Sequence, residues 1–194
     1  MHISEGVLSG GVLIAGWAGT ATGVALGLRR TDPAKIVRTA LLSSAFFLAS
    51  LVHVKIGPSS THLTFIAPMG LILGWGVFPA VMVALLLHAL LFGFGGLLVL
   101  GVNTFIMAGA GLSMYLLFGR RVRAGSNVLA FVAGAGGVIL AAVFAGICLA
   151  LSDEGFMNAA KLLVIAHVPV AGIEGLVTTF LFVWLRKSAP EFLE

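Results

Sequence analysis

The chain opens Met1-His2, two residues that together can act as a chelator. A free terminal amine, the amide nitrogen between them and the near ring nitrogen of His2 close a five-membered and a six-membered ring on one cation. Three nitrogens held this way lie nearly in a plane, and a second imidazole would fill the fourth corner. Nitrogen-rich, square-planar surroundings select Ni2+ or Cu2+ over Ca2+, Mg2+ or tetrahedral Zn2+. The plainer reading is an ordinary residue in a frayed terminus, so the other polar residues must decide. Histidine is a bulky second residue, which is expected to leave Met1 in place.

His62 is the strongest candidate for the fourth nitrogen. The segment GPSSTH turns at Gly57-Pro58, runs through hydroxyls at Ser59, Ser60 and Thr61, and ends in an imidazole. Such hydroxyls can hold local backbone while the ring points inward; a capping or packing role is the competing reading. His53, nine residues earlier, could orient His62 or the terminus, as metal-bound imidazoles require partners of their own, or could be an interfacial residue. His88 sits among apolar neighbours, where a buried hydrogen bond to the glycine-rich FGFGG turn explains it as well as ligation does. Asn103 can hydrogen-bond across helices and fix a broken segment near the site. Glu5 could pair with a partner or cap the first helix, and Gly6 permits a tight turn that brings Met1 inward.

The elements that must position these residues are membrane helices. Of 194 residues, 60% are hydrophobic and 9% charged, with mean hydropathy +1.15. Soluble domains carry about 25% charged residues, so the composition specifies a polytopic membrane protein. The 26 glycines agree, because close helix packing in lipid uses small residues. The lone Cys148 makes no disulfide framework, and no signal-peptide pattern precedes the first apolar run. Nothing resembles a phosphate-binding loop, and the +4 charge is no nucleic-acid footprint.

Hydropathy and breakers give seven spans, at about 7–28, 36–54, 62–74, 80–92, from the FGFGG break to 118, 124–151 and within 162–185. The third and fourth fall short of the ~20 residues of a full crossing and are either re-entrant or buried around a central site. Charge orients the set. With the amino terminus outside, the inner segments hold Arg29, Arg30, Lys35, Arg38, Arg120, Arg121, Arg123, Arg186 and Lys187. The outer ones hold only Lys55 and Lys161, so nine of the 11 cations lie inside, a strong positive-inside bias. Residues 1–194 read as one integral membrane domain with a cytoplasmic carboxyl terminus.

Two features remain open at this level. Gly19, Gly23 and Gly27 form a smooth stripe that either packs inside the bundle against the second span or docks another membrane subunit. Glu174 is a carboxylate inside an apolar span and must be neutralised or paired. His167, two helical turns earlier, could face it, although Pro169 disturbs the geometry. Together they are either a structural polar bridge or a proton relay.

With Met1-His2, GPSSTHL at 57–63, HALLFGFGGLLVLGVNTF at 88–105 and HVPVAGIEG at 167–175 in view, the chain resembles the NikM/CbiM family. These are substrate-binding membrane components of energy-coupling-factor transporters for nickel and cobalt. The resemblance covers almost the whole chain and implies an all-α bundle of seven transmembrane helices, a six-helix core plus one extra amino-terminal helix, in the cytoplasmic (inner) membrane. It implies an ion held by Met1, His2 and His62, with the amino-terminal segment plugged into the bundle from outside. Implied partners are a transmembrane coupling subunit, two cytoplasmic ATPase subunits and often a small accessory membrane subunit. The family usually has glutamine at the position of His88. The context of His53 to Pro58 is nearer the nickel branch, so Ni2+ is the expected substrate, with Co2+ next.

The expected function is therefore capture of Ni2+ for ATP-driven uptake, by a subunit that is not itself an enzyme. An ion-coupled permease using Glu174 and His167 is the alternative. An intramembrane enzyme is disfavoured, since paired carboxylates, HExxH and a nucleophile–base pair are all missing from the sequence.

Overall fold

A computed structural model of the chain describes residues 3–51, 53–56 and 59–193, without the side chains of 53–56 and 59–62. Its helices are α1 (Gly10–Arg30), α2 (Ile36–Leu51), α3 (Ile66–Leu73), α4 (Val77–Phe92), α5 (Leu100–Arg123), α6 (Asn127–Ser152), α7 (Met157–Ala166) and α8 (Val168–Ser188). Between α2 and α3 lies an antiparallel ribbon of β1 (His53–Ile56) and β2 (Ser59–His62). Among the described residues, six helical stretches are long and apolar enough to cross a membrane: Gly10–Arg30, Pro33–Leu51, Ile66–Phe92, Leu100–Arg123, Asn127–Ser152 and Glu154–Ser188.

Six spans replace the seven expected from hydropathy, and no extra helix precedes α1 among the described residues. The difference arises at Ile66–Phe92, which hydropathy divides in two. Gly74 breaks it at φ 54°, followed by a 3-10 turn at Gly74–Gly76, and the chain folds back there. A Cβ on Gly76 would stand 3.1 Å from Thr31 Oγ1, so the turn lies at the end where α1 finishes. From it α4 runs alongside α2 in the same direction: Ser43 Oγ donates to Ala80 O and Ser50 Oγ bonds His88 Nε2. The ribbon leaves the far end of α2, so α3 must descend to the turn from that side. At ~1.5 Å per residue its eight residues span about 12 Å, less than half a bilayer core. It is a short inward leg rather than a seventh spanning helix.

The stretch before α3 is extended, where 36–54 and 62–74 were expected to be helical. β-branched Val54, Ile56 and Thr61 and the Gly57-Pro58 pair favour a strand–turn–strand over helix. At the other end of the chain, Pro169 separates α7 from α8, because its ring would clash with the carbonyl one turn back.

The described chain begins at one end of the bundle and finishes at the other. Ser9 N–H donates to Ser152 Oγ (3.1 Å), joining the start of α1 to the finish of α6. At the opposite end, Arg38 donates to the carbonyls of Glu191 and Phe192, and Arg186 donates to Gly125 O and Asn127 Oδ1. Arg30 lies over the Trp75 ring, and Arg123 over Tyr115. The basic helix ends thus gather at one pole, where cations also complement the carboxyl ends of α1, α5 and α8.

The glycine stripe of α1 faces inward. Gly16 meets Val102, Gly19 meets Phe105, Gly23 meets Phe78, and Gly27 meets Trp75 O and Pro79. Its packing is against α4, α5 and the Gly74–Gly76 turn rather than the second span, and Thr20 Oγ1 adds a 2.6 Å hydrogen bond to Gly101 O. Large side chains such as Ile14, Leu48, Leu116 and Phe180 point outward, which costs nothing in lipid.

Candidate metal centre

Met1 and His2 lie outside the described residues, but the backbone that follows them is held firmly. Ile3, 8% exposed, donates its N–H to Asn103 Oδ1 and accepts from Asn103 Nδ2, both at 3.0 Å. Asn103 stands on the first turn of α5 and is itself buried. A side-chain amide has one donor group and one acceptor, so it mimics a strand partner for a single residue. Glu5 extends the attachment: its N–H donates to Gly95 O (3.1 Å), and its Oε1 accepts from Leu98 N (2.9 Å). Gly6 then turns the chain at φ 82° toward α1. Glu5 therefore ties the amino-terminal segment to the loop before α5 and does not cap α1, whose N-cap is Ser9.

Of the other expected ligands and their supports, His53, Ser59, Ser60 and His62 are described by their backbone alone. The ribbon register pairs His53 with His62 and Ile56 with Ser59. Two histidines nine residues apart are thus direct cross-strand partners, a relation invisible to a reading that treats the segment as a helix end and a turn. The side chains of these four residues lie outside what is described. Among the described residues, no three of His, Cys, Asp or Glu cluster as metal ligands.

Glu174 and His167 are both buried, yet they serve different partners. Glu174 Oε1 accepts from Thr64 N, from Thr64 Oγ1 (2.8 Å) and from Phe65 N (3.1 Å). His167 Nδ1 bonds Leu163 O one turn back on α7 (2.7 Å). No hydrogen bond joins the two residues. Their separation by two helical turns would align them on one continuous helix, but the α7–α8 junction intervenes at His167 itself.

His88 is 1% exposed, with Nε2 at 2.9 Å from Ser50 Oγ and 3.1 Å from Phe47 O, and its ring stacks on Phe47 at 4.8 Å. Its ring ties α4 to α2, while its backbone carbonyl accepts from Phe94 N in the glycine-rich turn. A glutamine could make the same pair of polar contacts.

Thr64 and Phe65 are the residues that sequence reasoning missed. Phe65 is the N-cap of α3 and takes a left-handed conformation, φ 48° and ψ 15°, unusual for a residue with a side chain. The signal available beforehand was indirect: an isolated carboxylate inside a span must find donors, and the first turn of a buried helix offers them.

The profile of the family described as cobalt uptake substrate-specific transmembrane region, CbiM, matches residues 2–192. A Haemophilus influenzae protein whose name assigns it provisionally to metal transport is 39% identical, across 100% of this chain and 97% of its own length. The cobalt transport protein CbiM of Kyrpidia tusciae is 31% identical across 100% of this chain and 86% of its length. Crystal structures of a transition metal transporter, one of them truncated, share the fold at TM-score 0.81 and 26% identity. The truncated one aligns over 96% of this chain and 99% of its own.

Proposed function

Because this chain belongs to the CbiM family, metal-transport proteins of the inner membrane that cross it several times and are not enzymes, we propose that it captures Ni2+ for an ATP-driven uptake system. The ligands in this reading are the Met1 amine, the amide and ring nitrogens of His2, and His62. The observation that supports it is the two-point clamp of Asn103 on Ile3, the buried residue that follows Met1-His2.

Four nitrogens in a plane favour Ni2+ and also accept Co2+. Loss of the amide proton offsets one charge of the ion inside a low-dielectric bundle, easing its dehydration. The basic pole faces the cytoplasm by the positive-inside rule, which puts the amino-terminal end outside, where a scavenged ion arrives. Release into the cell requires the plug or the whole subunit to move. That work falls to partner chains: a transmembrane coupling subunit, two cytoplasmic ATPase subunits and a small accessory membrane subunit.

The test is nickel binding by the purified chain beside a variant with one alanine inserted between Met1 and His2. Both residue types remain, but the chelate rings enlarge, and affinity is expected to collapse. Equal affinity in the two proteins would reject the ring closure.

A further inference from the structure

We propose that Glu174 is a positioning residue for His62, acting through Thr64 and Phe65 at the mouth of α3; this rests on His62 being a ligand. An α-helix leaves its first N–H groups without internal acceptors. Phe65, the N-cap of α3, has no side chain able to supply one, and α3 has no side-chain cap of its own. Thr64 and Ile66 are buried at 1% and 0% exposure, so water cannot make up the deficit. Glu174 supplies an acceptor from another helix, to the N–H of the N-cap Phe65 and to the N–H of Thr64 just before it. One of its oxygens takes both backbone N–H groups and the Thr64 hydroxyl, and a carboxylate suits the positive end of a helix.

These bonds also explain how Phe65 stays at φ 48°. A left-handed residue other than glycine persists where its surroundings over-determine it, and here its own N–H and both donors of the preceding residue are fixed to one atom. Thr64 is two residues from His62. Two extended residues reach at most about 7 Å, so the linkage from the fixed point to the imidazole-bearing residue has little slack. Glu174 is thereby the fixed end of the β2–α3 junction, and its withdrawal frees the strand that carries His62. His167 makes no bond to it, so the carboxylate is committed to this junction. Its second oxygen has no hydrogen-bond partner among the described residues.

The experiment is a double-mutant cycle on nickel affinity in the full chain, using Glu174→Ala and His62→Ala singly and together, with nickel release rates measured alongside. Glu174→Ala is expected to weaken binding about 10- to 100-fold, the usual effect of losing a ligand's support, chiefly through faster release. In the His62→Ala background it should do nothing further, because the group it positions is gone. Glu174→Gln, which keeps an acceptor oxygen, should recover much of the loss. Additive effects of the two alanine changes would overturn the proposal and make Glu174 a general stabiliser. A His62→Ala protein that binds nickel like the parent would instead reject His62 as a ligand, which is the failure of the underlying reading. Should Glu174→Ala not fold, Thr64→Val removes one of the three bonds and runs the same cycle with a smaller expected loss. Additivity there overturns the proposal equally.

Discussion

Asn103 and Ile3, a hundred residues apart in sequence, exchange two 3.0 Å hydrogen bonds, one in each direction between the side-chain amide and the backbone. This pairing sets where the chain start can reach. Replacing Asn103 by Ala strands a buried N–H and a buried carbonyl, at a cost of about 1–3 kcal/mol each. Nickel affinity is expected to drop about 10- to 100-fold. Asn103→Asp should fare no better, since it keeps the acceptor but sets a second oxygen against Ile3 O. Calorimetric titration of both variants checks this; parental affinity in Asn103→Ala would show that the clamp does not matter to capture.

Nickel capture should weaken steadily as pH falls from 8 to 5. The terminal amine, ordinarily with a pKa of about 7.7–8.0, and the His2 amide must each lose a proton to bind. Protons therefore compete with the ion below that range, and affinity should fall by at least about tenfold per pH unit. Below about 6.5 the two imidazoles join the competition and steepen the fall. A flat affinity profile across this range contradicts an amine ligand.

Gly70 and Gly172 make a matched pair for packing. A Cβ on Gly70 would overlap the backbone of Gly111, which cannot rotate away as a side chain could, whereas a Cβ on Gly172 meets nothing within 4 Å. Gly70→Ala should cost about 1–3 kcal/mol and lower the melting temperature in detergent by several degrees. Gly172→Ala should be neutral or stabilising, by up to about 1 kcal/mol. Equal melting temperatures for the two variants would mean that α3 and α5 are not in close backbone contact.

His88 is expected to matter for stability and not for the ion. His88→Gln can still bridge Ser50 and Phe47 and should fold and bind nickel as the parent does. His88→Leu loses the bonds to Ser50 and Phe47, about 0.5–1.5 kcal/mol apiece, with nickel affinity and stoichiometry unchanged. A fall in affinity in either variant would bring His88 into the site.

Vesicles containing this chain alone, given a proton gradient, should accumulate no nickel. Glu174 is engaged with Thr64 and Phe65 and His167 with Leu163, so the two do not form a hydrogen-bonded relay. Gradient-driven uptake without an ATPase would establish the permease reading instead.

Part of what holds the amino-terminal segment was legible in the residues. Asn103 is a polar amide in an apolar helix and had to bond something; Gly6 marked a turn, and it has the positive φ that a turn requires. The inward packing of Gly19, Gly23 and Gly27 was one of two open readings, with α4 and α5 as the partners rather than α2. What could not be read was which distant group each polar residue would meet. Thr64 precedes Glu174 by 110 residues, and no local periodicity encodes such a pairing. The ribbon at His53–His62 was hidden for a related reason, whereas the fold-back at Gly74–Gly76 falls at the break already read between the spans at 62–74 and 80–92. Hydropathy responds to apolar content and is blind to the direction in which the chain travels.

By itself the sequence determined the solvent. With so few charges the chain belongs in lipid, and the clustering of its cations at helix ends defines one pole of the bundle, because charge is too costly to bury and collects where water is. Tertiary structure alone decided that, among the described residues, six stretches rather than seven are of membrane length, and that one carboxylate holds the N-cap of a helix from across the bundle. It also decided that Ile3 is held by Asn103 on α5. Each of these depends on backbone groups deprived of water finding partners wherever the packing brings them.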